Sequence, residues 1–256
     1  MILPSIGDSS EKPLDRLVED GGFTSIFRTI GCVGDSLSSG EFQLMGDDGK
    51  WRYHDKFDYS WGQFIARTTG AKVYNFSSGG MTAKWYIPFA EEMGYWDAAK
   101  KCQAYIIALG VNDLCNCRQE PGSVADVDIE NPDNNPDTFA GHYAEIIARY
   151  RRIQKDPFFF LMTMPRSYPH DEVKAGYQKI HHDLLHDFAK IVPRAYLIDF
   201  YEYAPEYDDA FKAAYYLNGH MTPCGYALTA KMVMSYIDYI VRHDIHAFDL
   251  VGMMDR

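Results

Sequence analysis

The sequence predicts an α/β fold, a three-layer α/β/α sandwich around a mostly parallel five-stranded sheet. Three observations lead there. Five short runs are apolar throughout rather than alternating, as strands buried on both faces are. Stretches with helical spacing of apolar residues separate them. No internal repeat or linker divides the chain, so residues 1–256 are expected to form a single domain.

Residues 1–27 read as a leading arm, with a helical turn over Leu14 to Val18 that Gly21-Gly22 ends. The first strand covers about 29–34. Residues 41–59, with Gly46, Gly49 and mixed charges, are expected to be loop-like. Ser60 is placed to cap a helix reaching about Thr69, which Gly70 stops. Ala71 to Phe76 is the second strand, and Ser77-Ser78-Gly79-Gly80 a turn of small residues. A helix follows from about Thr82, with a second helical piece near Trp96 to Lys100. Ala104 to Leu109 is the plainest buried strand. Residues 116–137, rich in Asp, Asn, Pro and Gly, read as an inserted loop. Thr138 to Arg152 spaces Phe139, Tyr143, Ile146, Ile147 and Tyr150 along one helix face. Phe158 to Met164 is the fourth strand, Asp171 to Val192 a long helix, and Ala195 to Asp199 the fifth strand. The acidic, aromatic stretch 205–216 is a short helix or irregular, and a last helix runs from about Thr222 to His243.

The formal charge of −11 over 256 residues argues against nucleic acid as the main partner, because phosphate backbones need clustered Lys and Arg. Apolar residues make up 46% of the chain, enough to bury a sizeable core. No run of about 18 apolar residues occurs, so no membrane-spanning helix is expected. Met1 to Asp20 is polar and lacks an apolar signal core. The five cysteines form neither a disulfide framework nor a zinc pattern; Cys115-Asn116-Cys117 has one residue between its thiols. A cytoplasmic protein is the expectation, and a secreted one whose signal was trimmed is the alternative. The oligomeric state is not legible.

In a parallel sheet all strand C-terminal ends share one edge, where ligands bind. Those ends read Gly34-Asp35-Ser36, Ser77 to Gly80, and Gly110-Val111-Asn112-Asp113, and His220 precedes the last helix. A hydroxyl, a base, an amide donor and glycine N–H groups are the parts of an acyl-transfer site. Taken singly each has a plainer reading: Ser36 as a helix cap, Asn112 as a turn residue, His220 as a surface histidine. Only the joint pattern points to chemistry. Asp35 and Asp113 are expected to brace turns.

These residues carry a resemblance to the SGNH, or GDSL-type, esterase and lipase superfamily. Gly34-Asp35-Ser36-Leu37 matches its first motif. Asn75-Phe76-Ser77-Ser78-Gly79-Gly80 resembles the second, which singles out Gly80. Gly110-Val111-Asn112-Asp113 matches the third, and His220 with Pro223, Gly225 and Tyr226 the last. The motifs fall in family order between residues 31 and 226. The resemblance implies the flavodoxin-like SGNH hydrolase fold, with Ser36 as nucleophile and His220 as base. It also implies an oxyanion hole from the N–H groups of Ser36 and Gly80 and the side-chain amide of Asn112, and no cofactor. The α/β-hydrolase elbow does not fit, because the second Gly is missing after Ser36.

One position departs from the family pattern. The Asp that the family places three residues before its histidine is Leu217 here, followed by Asn218. Three readings stay open: a backbone carbonyl near Leu217 orients His220 as a dyad, Asp208 or Asp209 folds back into the role, or activity is weak or absent. The dyad with a neutral acceptor is favoured.

Other features read more plainly. His182 and His186 stand i, i+4 with Asp183 and Asp187 behind them, a pattern able to bind metal, but no third ligand is placed and a solvated helix face is the expectation. The acids Asp126, Asp128 and Glu130 alternate as in a calcium loop, yet Asn131 replaces the required Gly. Trp51, Tyr53, His54, Tyr59 and Trp61 are able to line a sugar or acyl pocket or simply to pack. Arg166 either faces the site or pairs on the surface, and Cys224 lacks any supporting motif.

The expected function is a metal-independent serine hydrolase cleaving short-chain or carbohydrate O-acyl and O-acetyl esters, its partner a small-molecule ester. The alternatives are a catalytically impaired ligand-binding protein on this fold and a lipase or lysophospholipase-type acylhydrolase. A flavodoxin-like nucleotide-binding domain ranks last, since the glycine-rich phosphate motifs are absent.

Overall fold

Five parallel strands form the centre of the protein: β1 (Thr29–Gly34), β4 (Lys72–Ser77), β5 (Ala104–Ala108), β6 (Phe158–Met162) and β7 (Ala195–Ile198). The computed structural model describes residues 8–255. Residues 1–7 of the leading arm, and with them the start of the stretch read as lacking a signal core, lie outside the described residues.

The spatial order is β4-β1-β5-β6-β7. The chain leaves β1 toward one edge and then crosses back past it, so the order reverses beside β1. Such a switch point opens a crevice at the strand C-termini. The expected fold class is the one observed.

Continuous apolar strands bury both faces, and alternate residues divide between two cores. Ile30, Cys32, Ile106, Phe158 and Phe160 face α2 (Trp61–Thr69) and α8 (Pro223–His243). Val33, Tyr105, Ile107, Phe159 and Leu161 face α3 (Ala83–Glu92), α4 (Phe139–Ile153) and α5 (Glu172–Ile191). Ser60 caps its helix as expected, and Thr82, Thr138, Asp171 and Thr222, given above only as helix starts, do the same: each accepts an N–H from the first turn.

Two expectations fail locally. Residues 41–59 are not a plain loop. They form an antiparallel hairpin of β2 (Glu41–Met45) and β3 (Trp51–Asp55), followed by α2. Leu14 to Val18 is turn and bend rather than a helical turn. That arm is held by α8 instead: the Val18 N–H donates to Ser235 Oγ, Phe23 N–H to Asp238 Oδ1, and Arg242 grips Glu11. No helix among the described residues is long and apolar enough to cross a membrane.

Candidate active site

The apolar run of β1 ends at Gly34, and Asp35 caps a single helical turn, α1 (Ser36–Ser39). Asp35 Oδ1 accepts the N–H of Leu37 at 3.0 Å. That cap fixes Ser36 at the helix start, where backbone N–H groups have no intrahelical acceptor and remain for an anion. Asp35 is a brace, buried beneath the turn. Burial pushes its carboxyl up to about 7, against the opposing Leu37 N–H and with help from Asp113 and Glu41.

The second segment is tied to the first. The Ser78 N–H donates to Gly34 O at 3.3 Å, and Ser77 Oγ donates to Cys32 O at 2.8 Å. Gly80 follows with φ +70, a left-handed conformation that residues with a Cβ rarely adopt. Gly79 is pressed against the Glu41 carboxylate, so a Cβ there would collide with Oε2.

Asn112 lies in one turn of π-helix, Val111–Asn116, beyond β5. Its amide is oriented from both sides. Oδ1 accepts from Asn116 Nδ2 at 2.9 Å, and Nδ2 donates to Met81 O at 3.1 Å. An amide nitrogen has two hydrogens, so one remains for a substrate oxygen. Asp113 is fully buried, and its Oδ1 takes the Ala83 N–H at 2.7 Å, anchoring the start of α3. Burial raises its carboxyl to about 7, against the Ala83 N–H.

This raised value has a consequence for stability. A carboxyl at 3.8 unfolded and about 7 folded binds more protons in the native state, so its stabilisation is present at low pH and lost as pH rises through 7. An Asp113→Asn variant keeps the acceptor for Ala83 and removes the titration. Relative to it, the wild type is expected to lose about 2 kcal/mol between pH 5.5 and 7.5, measured by urea unfolding at both values. A constant difference would contradict the assignment.

His220 arrives on β9 (His220–Met221), which pairs with β8 (Tyr216–Leu217) through a tight turn at Asn218 and Gly219. Its Nε2 lies 3.0 Å from Glu41 Oε1. Its Nδ1 is buried and has no hydrogen-bond partner. Burial lowers the His220 pKa, with Asp55 opposing, and burial raises that of Glu41, with Asp55 adding to it. Glu41 and Asp55 stand directly opposite each other in the hairpin.

The hairpin is stitched to the histidine loop. Gly219 N–H donates to Gln43 Oε1 at 3.0 Å, Gln43 Nε2 donates to Tyr53 OH at 3.0 Å, and Tyr226 OH donates to Glu41 O at 2.7 Å. The residues expected to orient His220 are placed otherwise. Leu217 is its strand partner, but no carbonyl accepts from Nδ1 among the described residues. Asn218 makes the turn, at φ 60. Asp208 caps α7 (Asp209–Tyr215) by accepting the Phe211 N–H, and Asp209 is exposed, 3.6 Å from His170. The acid beside the imidazole is Glu41, which the sequence reading missed.

Ser36, Gly80, Asn112 and His220 all line one cavity of about 650 Å³, together with Glu41. Of the aromatic group, Tyr53 and Trp61 line it, whereas Trp51, His54 and Tyr59 do not. Tyr168, Tyr207 and Tyr216 supply further aromatic walls, with Gln178, Lys212 and Asn218 as polar groups. Arg166 is exposed and outside the lining; the cation at the wall is Lys212, whose Nζ donates to Ser167 O at 2.6 Å. His181 is buried behind the cavity, between Leu109 O at 2.9 Å and the Met164 N–H at 3.3 Å, and burial holds its pKa at about 4.

Comparison with known proteins gives a consistent result. A family model described as GDSL-like Lipase/Acylhydrolase matches residues 30–233. A family two carbohydrate esterase from Clostridium thermocellum, solved in complex with cellohexaose, superposes with a TM-score of 0.58 at 15% identity, over 86% of this chain and 65% of that one. A family 3 carbohydrate esterase from the same organism gives 0.52 at 14%, over 84% and 96%. A psychrotrophic esterase from Pseudoalteromonas sp., inhibited by monoethylphosphonate, gives 0.53 at 14%, over 84% and 98%. No curated protein sequence matches the chain.

Proposed function

The chain belongs to the GDSL-like lipase/acylhydrolase family and is an ester-cleaving enzyme, and from that premise we propose that it removes short acyl groups from carbohydrates through Ser36 and His220. The observation that carries this reading is the convergence of Ser36, Gly80, Asn112 and His220 on one cavity of about 650 Å³.

Ser36 Oγ attacks the ester carbonyl carbon while His220 takes its proton. The carbonyl oxygen becomes an oxyanion, held by the N–H groups of Ser36 and Gly80 and the free N–H of Asn112. Collapse of that intermediate breaks the bond to the alcohol, which leaves with the proton from His220. Water, deprotonated by the same histidine, then releases the acid and restores Ser36. Glu41 supplies the negative charge opposite the imidazolium.

A carbohydrate-borne ester suits the walls. Flat aromatic faces at Tyr53, Tyr168 and Tyr216 match the apolar faces of a sugar ring, and Lys212 and Asn218 offer partners for its hydroxyls. The carbohydrate esterases among the structural neighbours point the same way. An impaired binding protein was motivated by Leu217, and Glu41 beside His220 weakens that motive.

A fluorophosphonate probe tests the nucleophile, and acetylated sugars against longer acyl esters test the substrate. A single adduct on the peptide containing Ser36 is expected, with kcat/KM falling as the acyl chain lengthens from acetyl to octanoyl. An adduct on another residue would overturn the nucleophile, and a preference for octanoyl would overturn the substrate class.

A further inference from the structure

His182 and His186 occupy one face of α5, a turn apart, and the fold brings a third group to them. Asp199, directly after β7, points its Oδ2 between the two rings, 3.2 Å from His182 Nε2 and 3.1 Å from His186 Nε2. The three donor atoms lie within 4.8 Å of one another. We propose that His182, His186 and Asp199 bind a zinc-type divalent transition ion, separate from the ester-cleaving residues.

The spacing suits such an ion. Zinc bonded at about 2.0–2.1 Å to nitrogen and oxygen spaces tetrahedral ligand atoms about 3.3 Å apart, close to both observed separations. Two imidazoles and one carboxylate match the ligand preference of zinc and its neighbours rather than of calcium or magnesium.

The surrounding groups hold the donors ready. Asp199 is almost wholly buried, and its other oxygen accepts from Thr163 Oγ1 at 3.0 Å and from the Glu202 N–H at 3.2 Å, which leaves Oδ2 for the site. His182 Nδ1 lies 2.9 Å from Asp183 Oδ1, the carboxylate-to-histidine arrangement that fixes a ligating tautomer. With that hydrogen on Nδ1, Nε2 is the His182 nitrogen placed to ligate an ion beside Asp199 Oδ2. His186 is 44% exposed, so the ion has an entry path and room for water as a fourth ligand.

The site reaches the cavity through one bond. Thr163, which donates to Asp199, is part of the cavity wall. A bound ion would tie α5 to the end of β7 and stiffen that wall without entering the ester chemistry.

Titration calorimetry with zinc chloride, after chelator treatment and dialysis, tests the proposal. One equivalent is expected to bind, and cobalt(II) is expected to give the visible bands of a four-coordinate ion. His186→Ala, at an exposed position, should weaken binding at least about tenfold while its melting temperature without metal stays unchanged. Asp199→Asn should abolish the cobalt bands. Saturating zinc should raise the melting temperature of the wild type but not of His186→Ala. Absence of stoichiometric binding, or equal affinity in His186→Ala and the wild type, would overturn the site. Neither outcome depends on ester hydrolysis.

Discussion

Ser36→Ala is expected to lower kcat for ester hydrolysis by about 10⁴-fold or more while leaving the melting temperature unchanged. The two halves of this result have separate physical origins. No hydrogen bond holds Ser36 Oγ among the described residues, since α1 is capped through Asp35 and closed by Gly40. Removing the hydroxyl therefore disturbs no structural bond. The chemistry, in contrast, loses its covalent step. His220→Ala is expected to lose a similar factor, and the double variant no more than either alone, because nucleophile and base act as one unit. Steady-state kinetics on an acetyl ester with all three proteins, beside their thermal unfolding, is the measurement. A Ser36→Ala enzyme within tenfold of the wild type would refute the nucleophile, and multiplicative losses in the double variant would refute the pairing.

The parts of the protein that were readable in advance are those where local chemistry and global fold agree. Phe158 to Met162 is apolar at every position because helices cover both faces, so the run announces a central strand. The ends of β1, β4 and β5 are small and polar because they line the crevice, and Ser36, Gly80 and Asn112 stand out there.

The hairpin reads differently because its pattern is inverted. Glu41 and Gln43 are buried while Leu44, Met45 and Tyr53 are exposed, so its hidden side is the polar one. An apolar stripe facing a core is the usual sign of such a strand, and it is missing. The only available signal was the polar alternation Glu41-x-Gln43 soon after the nucleophile. The metal cluster escaped for another reason. Spacing along one helix shows His182 and His186, but Asp199 joins them only when β7 docks beside α5, a contact no local pattern contains.

Glu41→Gln is expected to lower kcat by about 10²–10³-fold, with Glu41→Asp recovering part of the loss. When Ser36 gives up its proton, His220 becomes an imidazolium in a partly buried setting that disfavours charge. A carboxylate oxygen 3.0 Å from its Nε2 offsets that cost. A neutral amide offers a dipole in place of a charge; in serine enzymes the same loss of charge, at an acid on the other ring nitrogen, is worth up to about 10⁴. The smaller figure here follows from Asp55, which lies opposite Glu41 and maintains part of the negative field. The pH profile separates this role from a merely structural one. His220 works as a base only when neutral, and burial holds its pKa below the ordinary 6.5, so the acid limb of kcat/KM in the wild type should fall below pH 6.5. Removing the Glu41 charge disfavours the imidazolium further, so the limb should move to still lower pH as the plateau drops. If Glu41 served only to seat the hairpin, through its carbonyl and Tyr226, the plateau would change and the limb would stay in place. A Gln variant with wild-type kcat would remove Glu41 from the mechanism altogether.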